Sequence, residues 1–417
     1  MLALWIALIG ADRIDFAGGH GAFIVTPFIA LTPLVIMTEL ARRGRMRRRV
    51  SLPRSGLLYA CAATALLCVA MVSVYHAQET PISAARTVLL IADVMGTFAV
   101  AILVCDRVGL ATVMARGAVA CLLLYALFGV GEALWWVGRG PELLRIGTMT
   151  ARFDQLQNAG LFPRLAGPVA DANRSGFVLL FYIVVIAMSG LRPATRRIAI
   201  SLCIVFLVLT LSRSAAMGAV ATLVIAALSR RRSVSLQFVS SSALAFALAA
   251  AFLLVKPHGL DKVGAVLQSP LAGRLSTGEG SSQGHLALIE RGLSEGSQSL
   301  SRVAVGLGFG NSYLVLQDVF PGVRYGNFHS LYVTMFAEAG VFALLLILLL
   351  VGGPLVAGGP WRPLVAGAAA FNVFYQSTTE PAFWFVLALA WLTMSHPGWR
   401  TKTASGAELP SAPPHGG

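Results

Sequence analysis

Two residues stand out for the chemistry they could do. Arg213 lies in Thr210-Leu-Ser-Arg-Ser214, between two apolar runs that are too long together for one membrane span, so the chain must turn there. A guanidinium stays charged and can grip phosphate oxygens through two parallel hydrogen bonds. The plainer role for such a residue is an anchor among lipid headgroups. His329 lies in Asn327-Phe-His-Ser-Leu-Tyr332, where a long loop enters the next apolar run. An imidazole with an ordinary pKa of about 6.5 accepts a proton near neutral pH; its plainer role is to start a helix at the interface. A third cluster, Arg164-Leu-Ala-Gly-Pro-Val-Ala-Asp-Ala-Asn-Arg-Ser175, brings Arg164, Asp171, Asn173 and Arg174 just outside another run. Asp171 and Arg174 have the i, i+3 spacing of a helical ion pair. Glu338 is nine residues beyond His329, about 13 Å along a helix, and is expected to bond neighbouring helices instead.

Other patterns carry less. Gly306-Leu-Gly-Phe-Gly310 lacks the full dinucleotide fingerprint and a βαβ setting, so its glycines are expected to let the backbone turn or approach a partner closely. The acids Asp93, Glu132 and Glu380 are isolated, and no two show the close spacing of a metal-carboxylate motif; no metal site and no cofactor site are expected. Gly-x-Ser-x-Gly, H-E-x-x-H and P-loop motifs do not occur.

The elements that must position these residues are membrane helices. The chain has 417 residues, 57% of them apolar and 12% charged, with a net charge of +14. Soluble globular proteins carry about 25% charged residues. The composition excludes a disordered chain and an enzyme covered in ion pairs. Apolar runs predict helices over about 2–11, 22–40, 56–75, 87–105, 117–137, 175–191, 197–211, 214–229, 236–255, 329–351, 363–379 and 382–396. The fold class expected is all-α: a polytopic integral membrane protein of about 11–12 transmembrane helices, with one large loop between the ninth and tenth. The first run is too short to span alone. It has neither a basic n-region nor a cleavage site, against a removable signal peptide; a longer N-terminus would explain its shortness. The five cysteines all lie within apolar runs, so no disulfide framework or zinc site is expected.

Basic residues assign the sides. Arg42, Arg43, Arg45, Arg47, Arg48, Arg49 and Arg54 fill one loop. Arg107/Arg116, Arg192/Arg196/Arg197 and Arg230/Arg231/Arg232 recur on the same side, as do Arg400 and Lys402 in the tail. That side reads as cytoplasmic. The arginines are dispersed, without an interleaved aromatic surface, so nucleic acid is not an expected partner. The opposite, outer side receives 139–173 and the large loop 256–328, whose segment His285–Glu295 could form an amphipathic helix. The expected division is helices within 1–255, the loop 256–328, helices within 329–396, and a disordered tail 397–417. No internal repeat is evident.

Taken together, Arg164…Gly167…Asn173, Thr210-Leu-Ser-Arg-Ser214, Gly306-x-Gly-x-Gly310 and His329-Ser-Leu-Tyr332…Glu338-Ala-Gly340, with a long outer loop before the last motif, resemble the bacterial O-antigen ligase and polymerase family over about residues 20–395. The resemblance implies a GT-C type membrane glycosyltransferase of the bacterial inner membrane. Its termini would be cytoplasmic, its active site would face the periplasm, and it would need no metal. The implied donor is a glycan on undecaprenyl diphosphate, and the acceptor is a saccharide or a lipid A core, in lipopolysaccharide or exopolysaccharide biosynthesis. Family roles would fall on Arg213 as the diphosphate contact and His329 as the base. Arg164, Asn173, Arg174 and Tyr332 would bind substrate. The family's ligases carry an arginine in the long loop; Gly284-His-Leu-Ala-Leu-Ile-Glu-Arg291 has His285 there, so His285 or Arg291 would take that place. The family's His-Asn pair is His329-Ser330 here. Both departures favour a polymerase over a ligase.

The same residues fit a direct displacement. A sugar hydroxyl must lose a proton to attack, and a lipid diphosphate leaves with developing negative charge that arginines can stabilise. Two other classes compete. A transporter of a lipid-linked or anionic substrate would place charges and broken helices at mid-bilayer; the residues singled out here cluster at span edges. A sensor or assembly protein without catalysis would need none of them.

Overall fold

The computed structural model describes residues 1–16, 26–47, 50–136, 138–146, 149–153, 157–159, 162–229, 280–319 and 326–394. The expected span 236–255 and the tail 397–417 lie outside them. The helices are α1 (Leu2–Ala7), α2 (Pro27–Arg45), α3 (Arg54–Val74), α4 (Thr80–Val104), α5 (Leu110–Trp136), α6 (Ala172–Ala187), α7 (Pro193–Leu209), α8 (Arg213–Leu228), α9 (Gly280–Ser297), α10 (Leu300–Val305), α11 (Leu331–Ala357), α12 (Arg362–Phe371) and α13 (Pro381–Thr393). Four of them, α3, α4, α5 and α11, are long and apolar enough to cross a membrane. Shorter apolar helices are α6, α8 and α13. This is a mainly helical, multi-pass membrane protein.

Two apolar helices form its centre. Every residue of α13 is buried, and so is α6 from Ser175 to Ile186. A helix that is apolar all round belongs inside. Around them, α3, α5 and α11 turn large side chains outward, among them Leu58, Leu123, Leu127 and Phe342. On a soluble protein that much exposed apolar surface would be a liability; here it faces lipid.

Small residues set how closely the helices cross, as expected where lipid removes the hydrophobic drive for association. A Cβ on Gly367 of α12 would lie 2.1 Å from the Thr222 hydroxyl of α8, and one on Gly218 of α8 would lie 2.9 Å from the Gly367 carbonyl. A Cβ on Gly176 of α6 would meet the Ala215 Cβ of α8 at 2.5 Å. Thus α8, which carries Arg213, is pinned against α6 and α12.

Polar residues set the helix starts. The Ser212 hydroxyl accepts from the Ala215 amide at the start of α8, and the Asp171 carboxylate accepts from the Asn173 and Arg174 amides at the start of α6. These are ordinary N-caps. At the far end of the bundle the expected basic cluster is partly paired. Arg43 donates to the Leu103 carbonyl and pairs with Asp106, while Arg42 and Arg107 both reach Glu39.

The structure departs from the expected elements in three ways. The first is local β structure within the mainly α fold. The segment after α5 forms an antiparallel sheet of β2 (Leu143–Ile146) and β3 (Met149–Arg152), with β1 (Ile14–Asp15) on the other edge of β3. It also forms a hairpin of β4 (Gln157–Ala159) and β5 (Phe162–Arg164). Second, the run 363–379 is helical only as far as Phe371. Residues 372–380 make a turn, and its Asn372 and Tyr375 carbonyls accept the Leu331 amide at the start of α11. Third, α11 continues to Ala357 across a break at Gly340, where φ is 82°. The cysteines are free thiols.

Candidate active site

The site lies at the end of the bundle where α6, α8 and α11 begin. Arg213 is the first residue of α8. Before it, α7 ends in a tight turn whose middle residue, Leu211, has φ 49°. A branched apolar residue rarely adopts this left-handed backbone. Local bonds enforce it: the Thr210 hydroxyl donates to the Leu207 carbonyl at 2.6 Å and accepts from the Ser212 amide at 3.3 Å. Arg213 therefore joins its own charge to the positive end of the α8 dipole, a combination suited to an anion.

Arg164 stitches that turn to its neighbours. Its Nε donates to the Thr210 carbonyl at 2.9 Å and its Nη2 to Asn173 Oδ1 at 2.8 Å. The next amide, Leu165, bonds the Leu209 carbonyl. One arginine thus holds the end of β5, the α7–α8 turn and the start of α6 together.

The pair Asp171 and Arg174 does not form as the spacing predicts. Asp171 caps its helix, and Arg174 bonds elsewhere with all three guanidinium nitrogens: to Asp12, to Glu380 at 2.8 Å, and to the Thr379 carbonyl at 3.2 Å. Asp12 in turn accepts the Ala170 amide at 2.6 Å. Next to it, Arg13 pairs with Glu132 and donates to the Gly167 carbonyl. The chain start, α5, the start of α6 and the start of α13 are locked together by these charges. All three guanidinium nitrogens of Arg174 are thus engaged within the fold. Asp12 and Arg13, which no motif singled out, carry these bonds together with Arg174.

His329 sits in the last turn before α11 with φ 50°. Its amide donates to Asn327 Oδ1 at 2.8 Å, an Asx turn that supports this backbone. Its Nδ1 is buried and has no hydrogen-bond partner among the described residues. The ring of His285, from α9, lies against it with centroids 4.4 Å apart. Burial, and secondly the nearby His285, push His329 down to about 4, while Asp171 acts in the opposite direction. His285 is lowered from the ordinary histidine range by burial, then by Arg213, then by Arg164. The field of the site therefore joins α6, α8, α9, β5 and the His329 turn.

The other expected contacts divide. Arg291, one of two residues considered for the place of the loop arginine, is half-exposed and pairs with Glu295 at 3.2 Å along α9; His285 is the one that reaches the cluster. Tyr332 donates to the Ala369 carbonyl at 3.1 Å and lines an apolar groove of about 860 Å³ between α8 and α12, with Ala216, Val220 and Val373.

The glycines turn and approach a partner closely, as expected, but Glu338, expected to bond neighbouring helices, bonds the glycine-rich turn instead. Glu338 accepts the Gly310 amide at 2.8 Å and the Ser312 amide at 3.1 Å. The Leu307 and Gly308 amides bond the Ala337 and Glu338 carbonyls. Gly306 has φ 75°, and a Cβ there would lie 2.2 Å from the Glu338 carbonyl carbon. The turn thus docks the loop onto the first part of α11, just beyond His329. On the other side Phe309 donates to the Ser73 hydroxyl of α3.

Residues 198–348 match the family model described as O-antigen ligase. The match includes Arg213, His285, Arg291, His329, Tyr332 and Glu338; Arg164, Asn173 and Arg174 fall before it. No curated protein matches the chain.

Proposed function

We propose, supported by a region that matches the O-antigen ligase family model, a glycosyltransferase at the periplasmic face of the inner membrane. It moves a glycan from undecaprenyl diphosphate onto a sugar hydroxyl, and we favour polymerisation of repeat units over ligation to a lipid A core. The coarser statement, an enzyme of the O-antigen ligase or polymerase type acting on lipid-linked saccharides, rests on the matched region.

The observation that carries the finer reading is the proximity of a neutral histidine to fixed arginines. His329 is held below the ordinary histidine range, and Arg213 and Arg164 lie within electrostatic reach of its neighbour His285. A base and an anion site at one helix end are what the displacement needs. His329 takes the proton of the acceptor hydroxyl. The oxygen attacks the anomeric carbon, the bond to the diphosphate oxygen breaks, and the lipid diphosphate leaves with that electron pair. Arg213 stabilises its charge together with the α8 amides. Direct displacement inverts the anomeric centre. Arg164 and Asn173 hold Arg213's turn, and the groove beside Tyr332 offers the lipid tail an apolar path from the site.

The test is a reaction in detergent with an undecaprenyl-diphosphate repeat unit, with and without lipid A core. A ladder of lengthened lipid-linked glycans without core is the expected result. Transfer only when core is supplied would make the protein a ligase. A folded protein that binds the donor and transfers to neither acceptor would overturn the proposal in favour of transport.

A further inference from the structure

A catalytic histidine is usually oriented by a hydrogen bond on the nitrogen that does not react. Among the described residues, the buried Nδ1 of His329 has no such partner. Its backbone is fixed by the Asn327 turn, but that bond ends at the amide and does not reach the ring. The described neighbour lying against the ring is His285, tilted 42° to it with centroids 4.4 Å apart.

We infer that His285 is a positioning residue for His329, holding the ring by face contact and confining the pair to a single proton. The inference rests on the proposed role of His329 as base. Two imidazolium rings at this separation, half-buried, would repel strongly. The charged groups facing the pair from the surrounding elements are Arg213 at the start of α8, Arg164 at the end of β5 and Asp171 at the start of α6. The two arginines oppose protonation of His285. A proton taken from the acceptor by His329 is favoured there by Asp171, and the two arginines oppose a second one on His285. His285 thus does two things a fixed cation at that position would not: it packs against the base, and it leaves the positive charge of the site to Arg213 and Arg164.

The experiment is a pH–rate profile of glycan transfer by the purified full chain, comparing the wild type with His285→Phe and His285→Gln. Phenylalanine keeps a ring face and removes the competing charge. Its acid limb should move towards the ordinary histidine range, each unit of movement appearing as about a tenfold loss of rate on the acid side. The loss at pH 8 should be much smaller. Glutamine removes both charge and face, so the limb should move likewise and the plateau should fall as well. An unmoved limb in either variant, or a loss equal at all pH values in His285→Phe, would overturn the inference. Failure of the underlying reading looks different: no transfer by the wild type, or undiminished transfer by His329→Ala, would remove the proposed base and this inference with it.

Discussion

Glu338 accepts the backbone amide of Gly310 at 2.8 Å, 28 residues back along the chain. The bond crosses from α11 to the glycine-rich turn and fastens the long loop beside the helix that His329 opens. The same carboxylate accepts the Ser312 amide through its other oxygen, so glutamine, with one acceptor oxygen, leaves one of the two buried donors facing an NH2 group. Hydrogen bonds to charged groups contribute about 1.5–3 kcal/mol each. Glu338→Gln should lower thermal stability by an amount of that order and reduce transfer, because the loop carrying His285 loses its anchor. Thermal unfolding in detergent, with and without donor, checks it; unchanged melting would show that the turn is held by its backbone bonds alone.

Gly340→Ala should act on the same joint through sterics. Gly340 has φ 82°, and a Cβ there would lie 2.2 Å from the Ala304 carbonyl oxygen. Left-handed strain costs of order 1–3 kcal/mol before any clash. The expected result is greater proteolysis within 280–319, read by limited digestion, at a concentration of protease that leaves the wild type intact.

Arg174 should prove to be scaffold. Removing one partner of a buried ion pair costs about 3–5 kcal/mol, because the other charge is left uncompensated. Arg174→Ala leaves both Asp12 and Glu380 in that state. Loss of folded protein in size-exclusion profiles is expected, with partial recovery in the double variant Arg174→Met, Glu380→Gln. A stable Arg174→Ala protein whose KM for the donor alone rises would assign the residue to substrate instead.

Arg213→Lys keeps the charge and loses the forked grip. If the residue meets the leaving diphosphate, transfer should fall about 10–100-fold, the cost of a charged hydrogen bond in the transition state, while folding is unchanged. Wild-type transfer by the lysine variant would remove the diphosphate role.

The pH dependence of stability has a definite sign. His329 is lowered to about 4 in the folded protein against about 6.5 in the unfolded chain. Between those values the unfolded chain binds a proton that the folded one does not. His329 therefore withdraws stability as the pH falls from about 6.5 towards 4, and its stabilising share is complete above 6.5. The melting temperature of His329→Gln should depend less steeply on pH across that window than that of the wild type.

Much of this arrangement was legible in the residues. Apolar runs located the helices, and charges at their edges picked out Arg213, Arg164 and His329, because an ionised group is costly in lipid and stays only where it has work or a partner. Position 285 stands out only through the family resemblance, as the place where the ligases carry an arginine. What stayed hidden is pairing across long separations. Asp171 and Arg174 look like a local pair, yet Arg174 reaches Asp12 and Glu380, and no spacing rule connects positions 162 and 206 residues apart. The strands between 143 and 164 are too short to show an alternating pattern. The break after Phe371 hides within an apolar run, since the carbonyls it turns towards Leu331 leave no mark on side-chain composition.

The central claim is that His329 takes the acceptor's proton. The most direct measurement is single-turnover transfer from a labelled undecaprenyl-diphosphate repeat unit by wild type and His329→Ala, with donor binding measured alongside. General-base catalysis is worth about 10²–10⁴-fold. A loss of that size, with donor affinity intact, is the predicted result. A variant that binds donor and transfers at the wild-type rate would contradict the account.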